Sequence, residues 1–523
     1  MRIPKSLWVI APTIALIASP SHSQVGGETI EVLEVYGTHS YQSLGRTTAS
    51  AGDVNGDGYD DIIANSNHPG LWTGKVQVYS GIDGDMLHEW LNIGRALAGI
   101  GDINGDGHDD VIVGNLWDRS TPTDGKATAY SGIDGSPIYT LHGAGGNFGS
   151  SVSGAGDVNN DGTPDFIIGA PRNLANGLAT GASWVYSGID GSVLLQINGQ
   201  QQDGGFGSSV SGLRDINGDG HDDLIVGEPG FGGNHEGATY VFSGADGAQI
   251  FRFHGASQQQ IGKQLGDAGD VNADGTNDIL CFGDSVLNVY SGSDGTLLNS
   301  VTAFGGSSAG DLDNDGYCDF VVIDSFLWGA PLIYSGLSGQ PITRIEGHGH
   351  GPITLAGDVN GDGRSDLVVT STQHSPPNLR EAGRLFTFNF STFQHLNSST
   401  ISATSIGDDL VISMHFPQSE AGQSYAVLAS VGGTGPTNLY GLDLPLTQDF
   451  IFDKTTRGQI DPNILHDGTG ILDSNAKATA TLFSGNALLP LLGSRIYIAC
   501  VTFDANPHQG RLSSSVASAQ VVL

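Results

Sequence analysis

The chain has 523 residues, of which 55 are acidic and 20 basic, so its formal net charge is −35. A protein this acidic repels nucleic-acid phosphates and anionic membranes, and neither is expected as a partner. The three cysteines, Cys281, Cys318 and Cys500, lie in unrelated sequence contexts and indicate no disulfide framework.

The N-terminal residues have the pattern of a secretory signal. Arg2 and Lys5 precede an apolar run over residues 7–18, and the small residues Ser21 and Ser23 suit cleavage near Gln24. The apolar run is too short for a membrane-spanning helix, and no later stretch is long and apolar enough for one. We therefore expect residues 1–23 to be a signal peptide and the protein to be secreted, extracellular or associated with a cell surface.

A nine-residue phrase, Asp-x-(Asn/Asp)-x-Asp-Gly-x-x-Asp, occurs seven times along the chain. Successive copies start 41 to 58 residues apart, which is the spacing of a repeated supersecondary unit. These copies, numbered here as loops 1 to 7, are Asp53–Asp61, Asp102–Asp110, Asp157–Asp165, Asp215–Asp223, Asp270–Asp278, Asp311–Asp319 and Asp358–Asp366.

The loops have the composition of calcium sites. Oxygen-bearing side chains at positions 1, 3, 5 and 9, a backbone carbonyl at position 7 and a glycine at position 6 suit a hard cation that takes six to eight oxygen ligands. We predict up to seven Ca²⁺ ions, one per repeat. The predicted ligands are Asp53, Asn55, Asp57, Tyr59, Asp61, Asp102, Asn104, Asp106, His108, Asp110, Asp157, Asn159, Asp161, Thr163, Asp165, Asp215, Asn217, Asp219, His221, Asp223, Asp270, Asn272, Asp274, Thr276, Asp278, Asp311, Asp313, Asp315, Tyr317, Asp319, Asp358, Asn360, Asp362, Arg364 and Asp366.

Two other interpretations of the loops are weaker. Asp, Asn and Gly favour turns without any metal, but seven in-register copies argue against a turn alone. An EF-hand needs a glutamate at position 12, where the first three loops have Ala64, Val113 and Ile168. Each loop continues instead into a short apolar, strand-like stretch, so the loops are expected to join strands.

The residues around each loop form a four-strand unit. An apolar residue followed by glycine precedes five of the loops by nine residues. A third strand ends in Tyr-Ser-Gly in five repeats and in Phe242-Ser-Gly in the fourth, and a turn such as Asp83-Gly84 then opens a fourth strand. The seventh repeat has no Tyr-Ser-Gly. In the sixth repeat the dipeptide Phe304-Gly305 lies two residues nearer to the loop, and the seventh repeat has no obvious equivalent. Four strands in each of seven repeats predict a seven-bladed β-propeller over residues 24–395.

Two repeats resemble a known family. Phe148-Gly149 and Gly169-Ala170-Pro171 bracket loop 3, and Phe206-Gly207 and Gly227-Glu228-Pro229 bracket loop 4. These residues resemble the FG-GAP repeat of integrin α-subunit propellers, and the likeness covers about residues 25 to 395. It implies seven blades with calcium on one rim, and it suggests a role in binding or adhesion.

The two ends of the predicted propeller complement each other. The seventh repeat lacks a clear fourth strand, and an isolated strand-like run, Ile30–Tyr36, precedes the first repeat. We expect this run to complete the last blade and leave no open edge there. From residue 400 to 523 the calcium phrase stops and strand-like runs continue, which predicts a small C-terminal β-sandwich after a Ser/Thr-rich linker at 391–400. The predicted fold class is all-β.

Catalytic motifs are weak. Gly306–Gly310 matches the G-x-S-x-G pattern of hydrolases, but it falls in a first strand of the repeat, whereas that pattern requires a strand-to-helix turn. His348 and His350 are a close pair that suits a turn better than a transition-metal site. We predict no catalytic residue and no other cofactor, and therefore a protein that is not an enzyme.

The predicted function is calcium-dependent binding or adhesion to an extracellular protein or a polysaccharide. The connections between second and third strands carry Trp72, Trp117, Trp328 and Phe231, and the family resemblance places ligands at that rim, away from calcium. The tryptophans could instead pack between blades. The alternative function is a polysaccharide lyase or glycosidase built on a propeller, which would need paired carboxylates or a basic residue in a groove.

Overall fold

The structure is a computed structural model in which every regular element described is a β-strand. It describes residues 15–18, 30–67, 74–115, 125–143, 145–175, 177–312, 316–323, 331–345, 351–361, 364–375 and 379–389, together with the C-terminal strands between residues 400 and 522 whose bounds are given below. Within these ranges, no helix has the length and apolarity needed to span a bilayer.

Seven four-stranded antiparallel sheets form the blades of a propeller, which confirms the predicted all-β fold. The strands, in blade order, are Thr48–Gly52, Asp61–Asn67, Gly74–Tyr79 and Met86–Ile93; Ala96–Gly101, Asp110–Asn115, Lys126–Tyr130 and Pro137–His142; Ser151–Gly156, Asp165–Ala170, Ala182–Tyr186 and Val193–Asn198; Ser209–Leu213, Asp223–Glu228, Ala238–Phe242 and Gln249–His254; Gln264–Gly269, Asp278–Phe282, Leu287–Tyr290 and Leu297–Val301; Gly306–Gly310, Asp319–Ile323, Pro331–Tyr334 and Pro341–Arg344; and Ile353–Gly357, Asp366–Ser371, Arg384–Asn389 and Ile30–Tyr36.

The first strands of successive blades contact one another around a closed ring, and that of blade 7 contacts that of blade 1. The fourth strand of blade 7 comes from the start of the chain, since Ile30–Tyr36 pairs antiparallel with Arg384–Asn389. Glu34 and Arg384 form an ion pair across this pairing. The ring is therefore joined by residues from both ends of the propeller sequence.

The apolar core lies between adjacent blades. Second strands such as Asp110–Asn115 are buried along their whole length, because both faces of a blade are covered by its neighbours. One cluster joins Ile100 and Ile112 of blade 2 to Phe148 and Phe166 of blade 3. Phe304 differs, because it is 55% exposed, so Phe304-Gly305 does not repeat the buried position of Phe148.

The C-terminal part adds two larger sheets and one hairpin. The first sheet contains Ala15–Ala18, Ala517–Val522, Arg495–Phe503, Ser424–Ser430, Thr469–Ile471 and Gly510–Ser513; the second contains Thr400–Ile406, Asp409–His415, Lys477–Leu482 and Leu465–His466; the hairpin is Thr437–Leu439 with Leu442–Leu444. Ala15–Ala18, inside the segment predicted to be a signal peptide, pairs antiparallel with Ala517–Val522. The propeller belongs to a separate compact unit, Thr29–Leu312 with Gly316–Ser391.

Candidate metal-binding loops

All seven Asp-rich loops connect the first strand of a blade to its second strand. Because the blades repeat in the same orientation around the ring, these connections share one rim, which we call the loop rim. Loops 1 to 5 are described completely, as are Asp311, Tyr317 and Asp319 of loop 6 and Asp358, Asn360, Arg364 and Asp366 of loop 7. Three predicted ligands, Asp313, Asp315 and Asp362, lie outside the described residues.

Each loop wraps its main chain around its own acidic side chains. In loop 1, the Asp53 carboxylate accepts hydrogen bonds from the N–H groups of Asp57 (3.0 Å) and Gly58 (2.8 Å). Asn55 Oδ1 accepts a second bond from Asp57 N–H (2.9 Å). Asp57 Oδ1 accepts one from Tyr59 N–H (3.0 Å). The side chains at positions 1, 3 and 5 are thereby fixed on one tight turn, and the same bonds recur in loops 2 to 5.

The glycine at position 6 is required by the turn itself. Gly58 has φ of 90°, and the equivalent glycines of loops 2 to 6 have φ of 87° to 90°. This left-handed region is open to glycine and strained for residues with a Cβ. The repeated glycine thus sets the loop conformation, and its Cβ site in loop 1 faces open space.

The aspartate at position 9 has a different environment from the others, because it is buried. Asp61 is 0% exposed. Its Oδ2 accepts Val54 N–H (3.0 Å) and its Oδ1 accepts Gly81 N–H (3.0 Å). Gly81 is the glycine of the Tyr-Ser-Gly that ends the third strand. This carboxylate therefore connects the loop to the end of the third strand of its blade. Equivalent pairs of bonds are made by Asp110, Asp165, Asp223 and Asp278.

Serines in or directly after the turn that ends the third strand also reach the loop, a contact that the sequence analysis missed. In blade 4, Ser243 Oγ of Phe-Ser-Gly donates to Asp219 Oδ2 (2.9 Å). In blade 5 the contact comes from Ser293, the residue after Tyr-Ser-Gly, whose Oγ donates to Asp274 Oδ2 (2.7 Å). Burial opposes ionisation of these position-5 carboxylates, but hydrogen bonds from asparagine, serine and backbone N–H groups outweigh it and lower the pKa of both. The sequence carries no fixed spacing for this contact, because 24 residues separate Ser243 from Asp219 and 19 separate Ser293 from Asp274.

Burial raises the pKa of the position-9 aspartates. The value is about 7 for Asp61 and about 6 for Asp110, Asp165, Asp223 and Asp278, and desolvation is the largest cause in every case. Hydrogen bonds from the backbone oppose the shift, and the carboxylates at positions 1 and 5 add to it. A nearby divalent cation would favour the ionised form of these groups.

These shifts predict the pH dependence of the metal-free protein. Because the pKa values are higher in the folded state, their contribution to stability is complete below the ordinary value of 3.8 and is lost as pH rises through 6 to 7. In EDTA, we expect a melting temperature several degrees higher at about pH 5 than at about pH 7.5. Calcium should abolish this difference by favouring ionised carboxylates. Differential scanning calorimetry at both pH values measures it, and a lower melting temperature at acidic pH in EDTA would contradict it.

The chemistry of the loops fits calcium. Among the described residues, no group of three or more acidic, histidine or cysteine side chains is arranged to hold a metal ion by those side chains alone. Position 3 is asparagine in six loops and position 7 offers a main-chain carbonyl, so a bound cation would use amide and carbonyl oxygens beside its carboxylates. Such an all-oxygen donor set is what calcium prefers. In loops 1 to 5, the carboxylates at positions 1 and 5 form no ion pair with a described lysine or arginine.

Other candidate residues have structural partners. Ser308, in the G-x-S-x-G segment, lies in the first strand of blade 6 and donates to the Ala268 carbonyl of blade 5 (3.3 Å). His108 and His221 each place Nδ1 against a main-chain carbonyl of the preceding loop, Val54 O at 3.0 Å and Val158 O at 2.8 Å. His348 and His350 lie outside the described residues.

Two cavities lie between blades 3 and 4, and both reach the rim opposite the loop rim; the larger one also extends to the Asp246-Gly247 turn on the loop-rim side. A groove of about 820 Å³ is lined by Gln201, Phe231, Tyr240, Asp246 and Arg252 among others. A smaller one of about 550 Å³ is lined by residues that include Arg172, Asp203 and Pro229. Trp72, Trp117 and Trp328 lie outside the described residues, so Phe231 is the one predicted aromatic residue of this rim that the structure describes.

Phe231 belongs to a stacked group in the larger groove. The Arg252 guanidinium lies 4.3 Å from the centre of the Phe231 ring and 5.0 Å from that of Tyr240. The Tyr240 hydroxyl donates to Glu228 Oε2 (2.6 Å), and burial raises the pKa of Glu228. Stacking on two rings restricts the arginine side chain, so it can meet a ligand at low entropic cost.

Comparison with known proteins identifies the repeat. The FG-GAP repeat model matches residues 45–79, 148–186, 206–242 and 350–388, which lie in blades 1, 3, 4 and 7. Integrin alpha-5 of Xenopus laevis is 31% identical over 191 residues, which cover 32% of this chain and 18% of that protein. Integrin alpha-V of Gallus gallus is 30% identical over 201 residues, which cover 32% and 19%. The chain thus spans less than a fifth of the length of either relative. A solved structure of BBS1N in complex with ARL6DN, soaked with mercury, superposes with a TM-score of 0.46 at 9% identity, covering 69% of this chain and 97% of that chain.

Proposed function

From the premise that this chain carries FG-GAP repeats in a seven-bladed propeller and is related to integrin α subunits, we propose that it is a secreted calcium-binding protein that binds an extracellular protein or polysaccharide. The observation that carries the calcium part is the fivefold recurrence of one hydrogen-bonded loop with oxygen donors at the same positions.

Calcium would be held by positions 1, 3 and 5 through side chains, by position 7 through its carbonyl and by position 9 through its carboxylate. Bound ions would supply positive charge at the loop rim, and seven divalent ions would neutralise about 14 of the negative charges. The chain itself contributes the rest of the arrangement. Position 6 sets the turn, and the buried position 9 joins the turn to the third strand. The loop rim thereby acquires a structural role, leaving the opposite rim for partners.

We assign ligand binding to the groove between blades 3 and 4. The groove combines a restrained guanidinium, Arg252, with amide side chains and the ring of Phe231, and its volume is in the range of binding pockets. The relatives are integrin α subunits, and the family resemblance supports binding at the rim away from the loops. Export of the chain through residues 1–23 would expose the loops to the calcium levels that extracellular modules require.

The enzymatic alternative has less support from the groove. Glycosidases need two carboxyl groups flanking the scissile bond. Asp246 is the single carboxylate among the residues that line the groove, and Glu228 is buried with its Oε2 bonded to Tyr240. A binding role therefore fits this groove better than hydrolysis.

An array screen tests the proposal. The protein is applied to glycans and extracellular proteins in calcium and in EDTA, and we expect a binding partner that is retained in calcium alone. Arg252→Ala should weaken that binding about tenfold or more, the loss typical of a central charged contact. Arg95→Ala is the matched control, because Arg95 is an exposed arginine between blades 1 and 2 and outside the groove. Equal losses in both variants would remove the groove from the proposal, and cleavage of an arrayed glycan would favour the enzymatic alternative.

A further inference from the structure

Neighbouring loops of the loop rim contact each other through position 8. In loop 2 this residue is Asp109, and its Oδ2 accepts a hydrogen bond from the N–H of Asp53 (2.9 Å), which is position 1 of loop 1. The N–H of Asp109 donates in turn to the Asp53 carbonyl (3.0 Å). One residue of blade 2 thus holds the main chain of a predicted calcium ligand in blade 1 by both of its polar groups.

The same two bonds occur at two other blade junctions. Asp222 of loop 4 binds the N–H and carbonyl of Asp157 in loop 3 (2.9 and 3.3 Å). Asp60 of loop 1 binds those of Asp358 in loop 7 (2.7 and 3.0 Å). The contact between Asp60 and Asp358 crosses the junction of blades 1 and 7, where the ring closes. Loops 2, 1 and 7 therefore form a connected series, and loops 4 and 3 form a separate pair.

The remaining junctions have no such carboxylate and serve as internal comparisons. Position 8 is Pro164 in loop 3, Asn277 in loop 5, Cys318 in loop 6 and Ser365 in loop 7. The Asn277 side chain donates to Asp267 of its own blade (2.8 Å). Cys318 keeps the main-chain bond to Asp270 (2.9 Å) without a carboxylate.

Glycines make room for the three carboxylates. A Cβ on Gly52, Gly156 or Gly357, each directly before position 1 of its loop, would overlap the carboxylate of Asp109, Asp222 or Asp60 respectively. At each glycine the strand pairing shifts register. Blade 4 has Arg214 instead, its strands pair without a shift, and the residue facing it from the next blade is Asn277. Gly101, Gly269 and Gly310 occupy the same position before loops 2, 5 and 6, where Pro164, Cys318 and Ser365 face them. The carboxylate at position 8, rather than the glycine, therefore distinguishes the three junctions.

We propose that Asp60, Asp109 and Asp222 are positioning residues that couple calcium binding between adjacent loops, an inference that rests on the proposed calcium function. Position 8 lies between the carbonyl of position 7 and the carboxylate of position 9, so an ion in loop 2 fixes Asp109. Asp109 then holds the main chain of Asp53 ready for the ion of loop 1. Partners of metal ligands act in this way on affinity, and the coupling must be reciprocal.

Tyr59 supplies a reporter for this coupling. Terbium, a luminescent substitute for calcium, is excited through nearby tyrosines, and position 7 is tyrosine in loops 1 and 6 alone. In a Tyr317→Phe background, the remaining loop tyrosine is Tyr59, which lies in loop 1 and against Gly361 of loop 7. The signal lost on Tyr59→Phe therefore reports terbium in these two loops.

We titrate each variant with terbium and follow the luminescence that depends on Tyr59. In Asp109→Ala, we expect the part of this luminescence that comes from loop 1 to reach its midpoint at an about tenfold higher terbium concentration, the loss typical of a removed ligand partner. Asp109→Asn keeps an acceptor for the Asp53 N–H and should retain most of the affinity. Asp134→Ala removes an exposed aspartate of the same blade, bonded to Ser136 in its own turn, and should leave the midpoint unchanged. Melting in excess calcium shows that each variant is folded.

A double-mutant cycle separates coupling from a local effect. Asp106→Ala disables loop 2, and it should weaken the Tyr59 signal when Asp109 is present but add little in Asp109→Ala. Additive effects, or a midpoint unchanged by Asp109→Ala, would overturn the positioning role while leaving calcium binding intact. Absence of any EDTA-reversible Tyr59 signal would instead contradict the calcium proposal itself.

Discussion

Removal of calcium with EDTA is expected to lower the melting temperature of the propeller by about 10 °C or more. Without an ion, each of loops 1 to 5 holds carboxylates at positions 1 and 5 on one turn, and the position-9 aspartate beside that turn is buried. A ligand at 100 times its dissociation constant adds about 2.7 kcal/mol per site. Several filled loops therefore contribute a large share of the stability of a domain.

Calcium should restore the melting temperature better than magnesium, because Mg²⁺ demands a near-octahedral site and gives up its water reluctantly. Asp57→Ala should reduce the rise in melting temperature on adding calcium by the contribution of one loop. Asp83→Ala, in an exposed turn of the same blade, is the matched control and should keep the full gain. Thermal melting by circular dichroism measures these differences, and an unchanged curve in EDTA would rule out calcium as a structural ion.

Deletion of residues 24–40 is expected to cause aggregation, whereas deletion of residues 400–523 should leave a soluble propeller that responds to calcium. The first deletion removes the strand Ile30–Tyr36 and exposes Arg384–Asn389 as a free edge, which can pair with other chains. It also removes Leu33 from a core cluster that joins blades 1 and 7 through Leu44 and Leu385.

Size-exclusion chromatography with light scattering distinguishes the two truncations. Deletion of residues 24–29 alone, which spares the strand, is the control and should remain monodisperse. A soluble protein lacking residues 24–40 together with an aggregating one lacking residues 400–523 would show that ring closure depends on the C-terminal region instead.

The repeat was predictable because its signals are local. Each of the seven Asp-rich loops is followed by an apolar strand, and five of them by Tyr-Ser-Gly, within a few tens of residues, and this pattern indicates four strands per blade. Phe304-Gly305 is two residues out of register with the equivalent dipeptides, and its aromatic ring is exposed where that of Phe148 is buried. The calcium ligands themselves stay a prediction from composition, supported by the turn that surrounds them.

Contacts between loops could not be predicted in the same way. The bond between Asp60 and the N–H of Asp358 joins residues 298 positions apart, and only closure of the ring brings them together. The role of Gly52 was hidden for the same reason, since the carboxylate that needs the space belongs to another blade. Knowledge of the blade order would have been required first.

The origin of the last strand has a consequence for the order of folding. Most strands of a blade find partners within their own repeat, but Ile30–Tyr36 is made first and must remain unpaired until Arg384–Asn389 emerges. Thr370 Oγ1 makes a bond to Gly45 that spans 325 residues near the same junction, and contacts of such separation form late because they close long loops. Single blades can therefore assemble during synthesis, while the completed ring waits for nearly all of its sequence. A nascent chain halted inside blade 7 would carry a lone edge at each end.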